Sequence, residues 1–125
     1  MKQKIETNDA PQAIGPYSQA IKVDRTIYFS GQIPLNPTTM TLVSDDFAEQ
    51  ARQVFFNLDA VAKASHGTLD GIVKLTIYLT NLEYFPIVND IMKQFFKEPY
   101  PARTTIEVSK LPKSALIEID AIMII

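Results

Sequence analysis

The chain has no cysteine and no tryptophan, a single histidine, and only four glycines in 125 residues. Without cysteine there are no disulfides, no thiolate metal ligands and no cysteine nucleophile. One histidine cannot supply a structural zinc site. A Ser-His-Asp arrangement would have to be built on His66, which sits beside Gly67 where a helix is expected to end. No glycine-rich phosphate loop is present. No apolar run is long enough to cross a bilayer, and Met1–Glu6 lacks the apolar stretch of a signal peptide. The 12 Lys and Arg are scattered and outnumbered by 14 Asp and Glu, for a net charge of -2. A basic stripe for nucleic acid is therefore missing. The expectation is one domain over residues 1–125, cytoplasmic, with no metal, no cofactor and no membrane partner, and large enough to bury a core.

The pattern along the chain predicts the order β-β-α-β-α-β-β. Pro11, Gly15 and Pro16 mark an extended, turning lead-in. Strands are expected over Ser18–Val23 and Thr26–Ile33, with Asp24-Arg25 as the turn. A helix then begins at Asp45 or Asp46, carries apolar residues at spacings of three and four from Phe47 to Ala62, and stops at Gly67. Ile72–Thr80 reads as a strand, with Val73, Leu75, Ile77 and Leu79 on one side. A second helix runs from about Leu82 to Lys97 with Pro86 in its first turn. Strands near Ala102–Ser109 and Ala115–Ile124 are expected to form an antiparallel hairpin. This is an α+β domain with both helices on one face of a sheet.

Alternation within the strands assigns the apolar sets to the helix-covered face. It places Ser30, Arg103 and Glu118 together on the other face. Tyr28, Tyr78, Leu116, Ile122 and Ile124 are expected there too, a mixture poorly suited to bulk water. A second copy of the chain is expected to cover that face, with the polar residues lining pockets between subunits.

Arg103, in Pro101-Ala102-Arg103, can hold an anionic substrate through two parallel hydrogen bonds. Glu118, between Ile117 and Ile119, can move a proton or steer a water. Each also has a plainer reading, as a surface ion pair or an exposed strand residue. Gly31 inside a strand marks a bulge or a close backbone approach. Tyr17 follows a Gly-Pro turn and can close a pocket with its hydroxyl, while Asn89 and Asp120 read first as structural polar groups.

Ala13-Ile14-Gly15-Pro16-Tyr17-Ser18-Gln19-Ala20, Phe29-Ser30-Gly31-Gln32-Ile33-Pro34, Val88-Asn89, Pro101-Ala102-Arg103 and Ile117-Glu118-Ile119 occur in that order. Together they resemble the RidA (YjgF/YER057c) family of reactive-intermediate deaminases over essentially the whole chain. The resemblance implies a chorismate-mutase-like fold with a mixed sheet, and a homotrimer with three pockets between subunits. It implies cofactor-free hydrolysis of 2-imino acids such as 2-iminopropanoate and 2-iminobutanoate, or their enamines, to 2-oxo acids and ammonia. By that resemblance Arg103, Glu118 and Tyr17 are catalytic, and Ser30, Gly31, Asn89, Arg103 and Thr105 bind substrate. Thr105 stands where many relatives carry cysteine, and Asp120 where a glutamate is common. Two other functions are compatible with the same pocket: a non-enzymatic module that binds 2-oxo acids or docks on a metabolic enzyme, and a ribonuclease or translation inhibitor. The acidic charge balance weighs against the latter.

Overall fold

Capping and periodicity decide the first helix, α1 (Phe47–Ala64). Asp46 caps it, its carboxylate accepting from the Glu49 N–H at 3.0 Å. Its apolar stripe, Phe47, Ala51, Val54, Phe55, Leu58, Val61 and Ala62, is buried throughout. The helix ends at Ser65, and the left-handed residue after it is His66 (φ 63), while no glycine has positive φ. Gly67 therefore serves a packing need. A Cβ there would lie 2.9 Å from the Met123 methyl. The second helix is shorter than its apolar pattern suggests. A 3-10 turn over Leu82–Tyr84 leads into α2 (Phe85–Phe95), which buries Val88, Ile91 and Met92.

The computed structural model describes residues 1–125 and contains six strands: β1 (Lys2–Ile5), β2 (Ala20–Val23), β3 (Thr26–Gln32), β4 (Ile72–Leu79), β5 (Ala102–Glu107) and β6 (Ile117–Ile124). They form one mixed sheet in the order β1-β2-β3-β6-β4-β5, with only β4 and β5 parallel. Both helices pack on one face, where 24 buried residues form a continuous core. The N-terminal strand β1 was not expected. Its residues are polar and mostly exposed, and its place comes from antiparallel pairing with β2.

The expected hairpin of the last two strands does not form. β5 lies at the edge, parallel to β4, and β6 lies between β3 and β4. β6 buries alternate residues from Ile117 to Met123, whereas β5 buries none. The more apolar strand takes the centre, where both of its edges are paired. β4-α2-β5 then becomes a parallel crossover unit. The nine residues 108–116 carry the chain past β4, through a turn in which Lys113 (φ 56) and Ser114 (φ 61) are left-handed.

Two bulges shift the expected faces. In β4, Ile72 pairs with Met123 and Lys74 with Ile122, so Val73 is extra and 46% exposed instead of buried. In β3, Phe29 pairs with Ala121 and Gln32 with Ile119, so Ser30 and Gly31 stand opposite Asp120 alone. Gln32 is thereby turned into the core side, where it is 5% exposed.

Buried amides tie the loops to this frame. Gln19 donates to the carbonyls of Thr7, Ala10 and Pro11 and accepts from the Thr7 N–H at 2.8 Å, which fastens the N-terminal arm. Gln50, 1% exposed, donates to the Ser44 carbonyl at 2.9 Å and accepts from the Leu116 N–H at 2.9 Å. It joins the start of α1 to the start of β6. Replacing it by leucine strands both backbone groups. Gln50→Leu should lower stability by about 2–3 kcal/mol, measurable as a lower denaturation midpoint at unchanged m-value.

Candidate functional site

Glu118 sits near the start of β6 and pairs with Tyr78 of β4. Tyr78 alternates with the buried Ile77 and Leu79, so Glu118 lies on the open face of the sheet. The β3 bulge brings backbone against it. A Cβ added to Gly31 would overlap Glu118 Oε2 and lie 2.9 Å from Glu118 Cδ. Gly31 is thus required by the catalytic candidate itself. Burial is the main cause that raises the Glu118 pKa above the ordinary carboxylate value, and the neighbouring Asp120 adds to it.

Glu118 forms part of a cavity of about 390 Å³ that Tyr17, Ser30, Gly31, Ile33 and Met40 also line. Tyr17 comes from the arm fastened by Gln19, and its N–H donates to the Gly15 carbonyl at 2.8 Å. Ile33 and Met40 come from the loop after β3, which Asn57 of α1 holds by donating to the Leu35 carbonyl at 3.1 Å. The Ser30 hydroxyl donates to the Ser18 carbonyl at 2.5 Å, so it braces the arm against β3.

Arg103 lies elsewhere. On β5 it pairs with Leu75 of β4, whose side chain is fully buried on the helix side. The expectation that Arg103 shares a face with Glu118 is therefore wrong. Alternation that sends the apolar set of each strand to the helix-covered face puts Ile106 on the core side. At this unpaired edge, however, the polar set faces the helix layer, and Ile106 is 42% exposed on the open face. Arg103 Nη1 donates to Asn89 Oδ1 at 2.7 Å and to Met92 Sδ at 3.4 Å. Its guanidinium carbon stands 4.8 Å from the centroid of the Phe85 ring. These three α2 residues hold the cation without neutralising it. The chain's ion pairs are Lys4–Glu6, Lys63–Asp59 and Lys97–Asp70, and none includes Arg103. A second cavity, of about 480 Å³, is lined by Arg103, Asn89, Met92, Lys93, Tyr100 and Pro101.

The expected site residues thus fall into two groups. Glu118, Gly31, Ser30 and Tyr17 line one cavity, and Arg103 and Asn89 line the other. Thr105 lines neither, and its buried Oγ1 has no hydrogen-bond partner. Arg103 and Glu118 lie on the two strands that flank β4, opposite positions three residues apart along it. That amounts to about 10 Å in each direction, on opposite faces. Phe85 and Met92 also support the guanidinium, and nothing in their spacing marks them in the sequence as supports for an arginine. No group of three or more His, Asp or Glu side chains is placed to hold a metal ion.

Residues 7–125 match the profile of the family described as endoribonuclease L-PSP. A 2-iminobutanoate/2-iminopropanoate deaminase of Dermatophagoides farinae is 46% identical over 124 residues, which is 99% of this chain and 97% of its own. Among solved structures, YyfA of Yersinia pestis, from the conserved Rid family, superposes with a TM-score of 0.97 at 52% identity and covers 100% of both chains. Escherichia coli TdcF, solved with bound serine, superposes with a TM-score of 0.93 at 38% identity over 98% of each chain.

The Gly31–Glu118 contact has a direct consequence. In Gly31→Ala the new methyl displaces the end of the Glu118 side chain and leaves the backbone in place. The variant should fold normally by circular dichroism. With Glu118 as the reacting group, a shift of about 1 Å costs on the order of 100-fold in turnover, and steady-state rates should fall by that much.

Proposed function

The chain belongs to the endoribonuclease L-PSP family, the RidA/YjgF family that its motifs resemble, and from that membership we propose that it hydrolyses reactive 2-imino acids and their enamines to 2-oxo acids and ammonia. The observation that carries this reading is the complementarity of the two half-sites. One offers a guanidinium with no acidic partner. The other offers a carboxyl that burial pushes toward its acid form. An imino acid needs both, an anion clamp for its carboxylate and a group that takes a proton from water and returns it to nitrogen.

Arg103 binds the substrate carboxylate with its free N–H groups while Asn89 fixes the guanidinium plane. Water attacks the C=N carbon, and Glu118 accepts its proton as the C–O bond forms. Glu118 then delivers that proton to nitrogen to give the carbinolamine, takes the hydroxyl proton in turn and hands it to the amino nitrogen as the C–N bond breaks, so that ammonia leaves and the C=O of the 2-oxo acid forms. With an enamine, the acid form of Glu118 first donates a proton to carbon. Tyr17 and the Ser30–Gly31 bulge wall the site, and Thr105 stands beside the clamp. The imine is already electrophilic, so positioning supplies most of the remaining barrier reduction.

The clamp and the carboxyl of one protomer cannot reach one small molecule. We therefore infer that Arg103 of one subunit meets Glu118 of the next, in the homotrimer that the resemblance implies. The open face supports this, because Tyr28, Ile106 and Ile124 expose 50%, 42% and 43% of their surface there. No helix is long and apolar enough to cross a membrane. The proposed setting is the cytoplasm, beside pyridoxal-phosphate enzymes that release such imines.

The test generates 2-iminopropanoate or 2-iminobutanoate in situ with an amino-acid oxidase or dehydratase and follows 2-oxo acid formation. Wild type should accelerate it, and Arg103→Ala should lose on the order of 100-fold in kcat/KM through the missing charge-assisted bonds. No acceleration by wild type would leave the protein a binding module and sink the deaminase reading. For the assembly, light scattering should give about three times the chain mass of 14.0 kDa. Inactive Arg103→Ala and Glu118→Gln chains, unfolded together and refolded, should regain roughly a quarter of wild-type activity, because a quarter of heterologous contacts then carry both intact residues. No recovery would place the two groups on one subunit.

A further inference from the structure

Asp120 is a carboxylate that the reaction above does not use. It follows Glu118 by two residues on β6, so both side chains project from the open face. It pairs with Thr76, and Glu118 pairs with Tyr78. The Tyr78 hydroxyl reaches diagonally across the two strands and donates to Asp120 Oδ2 at 2.9 Å. One tyrosine thus lies against the reacting carboxyl and pins the neighbouring one.

We propose that Asp120, anchored by the Tyr78 hydroxyl, is a positioning residue that sets which form of Glu118, acid or base, meets the substrate. The proposal rests on Glu118 being the reacting carboxyl. A lone exposed glutamate is almost wholly a base near neutrality. Imine hydrolysis needs a carboxylate to take the water proton, and enamine protonation needs the acid. A fixed negative charge on the same strand face holds Glu118 closer to the balance between them. The hydrogen bond matters because it prevents Asp120 from turning away. The same bond is the main cause that raises the Tyr78 pKa, so this hydroxyl keeps its proton and remains a donor.

Other groups face Glu118 or surround it. Tyr17 comes from the N-terminal arm and Lys113 from the connection before β6, and both line its cavity. β3 contributes the uncharged Ser30–Gly31 bulge and Tyr28 further along. On β4, Lys74 shares the open face but directs its ammonium to Thr104 Oγ1 at 3.4 Å. In the proposed trimer a neighbour's Arg103 would also approach and favour the ionised form. None of these replaces Asp120 as the nearest negative charge on the same strand face.

The test follows the Glu118 carboxyl carbon by NMR in full-length protein labelled at glutamate, its signal identified by loss in Glu118→Gln. In Asp120→Asn the ionisation midpoint of Glu118 should fall, and the acid limb of the kcat/KM profile for imine hydrolysis should move to lower pH with it. Asp120→Glu keeps the charge and should stay near the wild-type midpoint. Tyr78→Phe frees Asp120 and should fall between them, which also decides the matter if the asparagine variant does not fold. An unmoved Glu118 midpoint in Asp120→Asn, or an equal fall in Asp120→Glu, overturns the proposal. A wild type that hydrolyses no imine, with a midpoint that still falls in Asp120→Asn, overturns the deaminase reading and leaves the hold of Asp120 on Glu118 standing.

Discussion

The insertion of β6 between β3 and β4 is the constraint from which the rest follows. Ile117, Ile119, Ala121 and Met123 are buried on one side of this strand, against α1 and the core. Only a central position gives them cover while both edges of the strand find partners. With the centre occupied, β5 is confined to the edge, and the crossover through α2 sets its parallel direction. That order carries Arg103 to the margin of the helix layer and leaves Glu118 in the middle of the open face. The strand that completes the core thereby divides the candidate site residues of the protomer into two groups.

Each half is held by a different kind of force. Arg103 rests on α2 through one short hydrogen bond, a thioether contact and an aromatic ring. All three supports are uncharged, so they restrict the guanidinium without consuming its charge. An arginine fixed in this way loses less conformational freedom when an anion arrives. Glu118 is held by exclusion. The Gly31 backbone, bent toward it by the bulge, occupies the space that bulk water would use to solvate the carboxylate. Desolvation and the adjacent charge of Asp120 act in the same direction on its proton.

Local features of the fold were legible in the sequence wherever one residue type performed one local task. The Asp46 cap, the stripe from Phe47 to Ala62 and the Asp24-Arg25 turn all follow from short-range spacing. Gly31 could be read as a bulge because glycine inside a strand has few other uses. Features that depend on competition between distant segments were not legible. Ala102–Glu107 and Ile117–Ile124 are close in sequence, yet the preference of β6 for two partners overrides that closeness. Val73 was assigned to the buried side because a bulge changes register without changing composition. Arg103 was assigned to the wrong face for a related reason, since alternation reports sides reliably only where one side is fully covered. Gln50 and Asn57 carry no pattern at all, and the motif around Gln19 does not reveal its task; the importance of all three comes from backbone groups distant in sequence.

The division of the candidate site also bears on how an open sheet face and the Glu118 cavity coexist. A carboxyl in an apolar cavity and a cation at a strand edge each have unmet interactions in an isolated protomer. Exposed Tyr28, Ile106 and Ile124 add an apolar driving force on the same side as Glu118. Association that buries this face can remove water from the carboxyl and bring a guanidinium toward it in one step. The two effects oppose each other on the Glu118 proton, because desolvation favours the acid and the cation favours the base. A residue that adds a constant negative charge from within the same strand, as Asp120 does, keeps the approaching cation from settling that competition wholly in favour of the base.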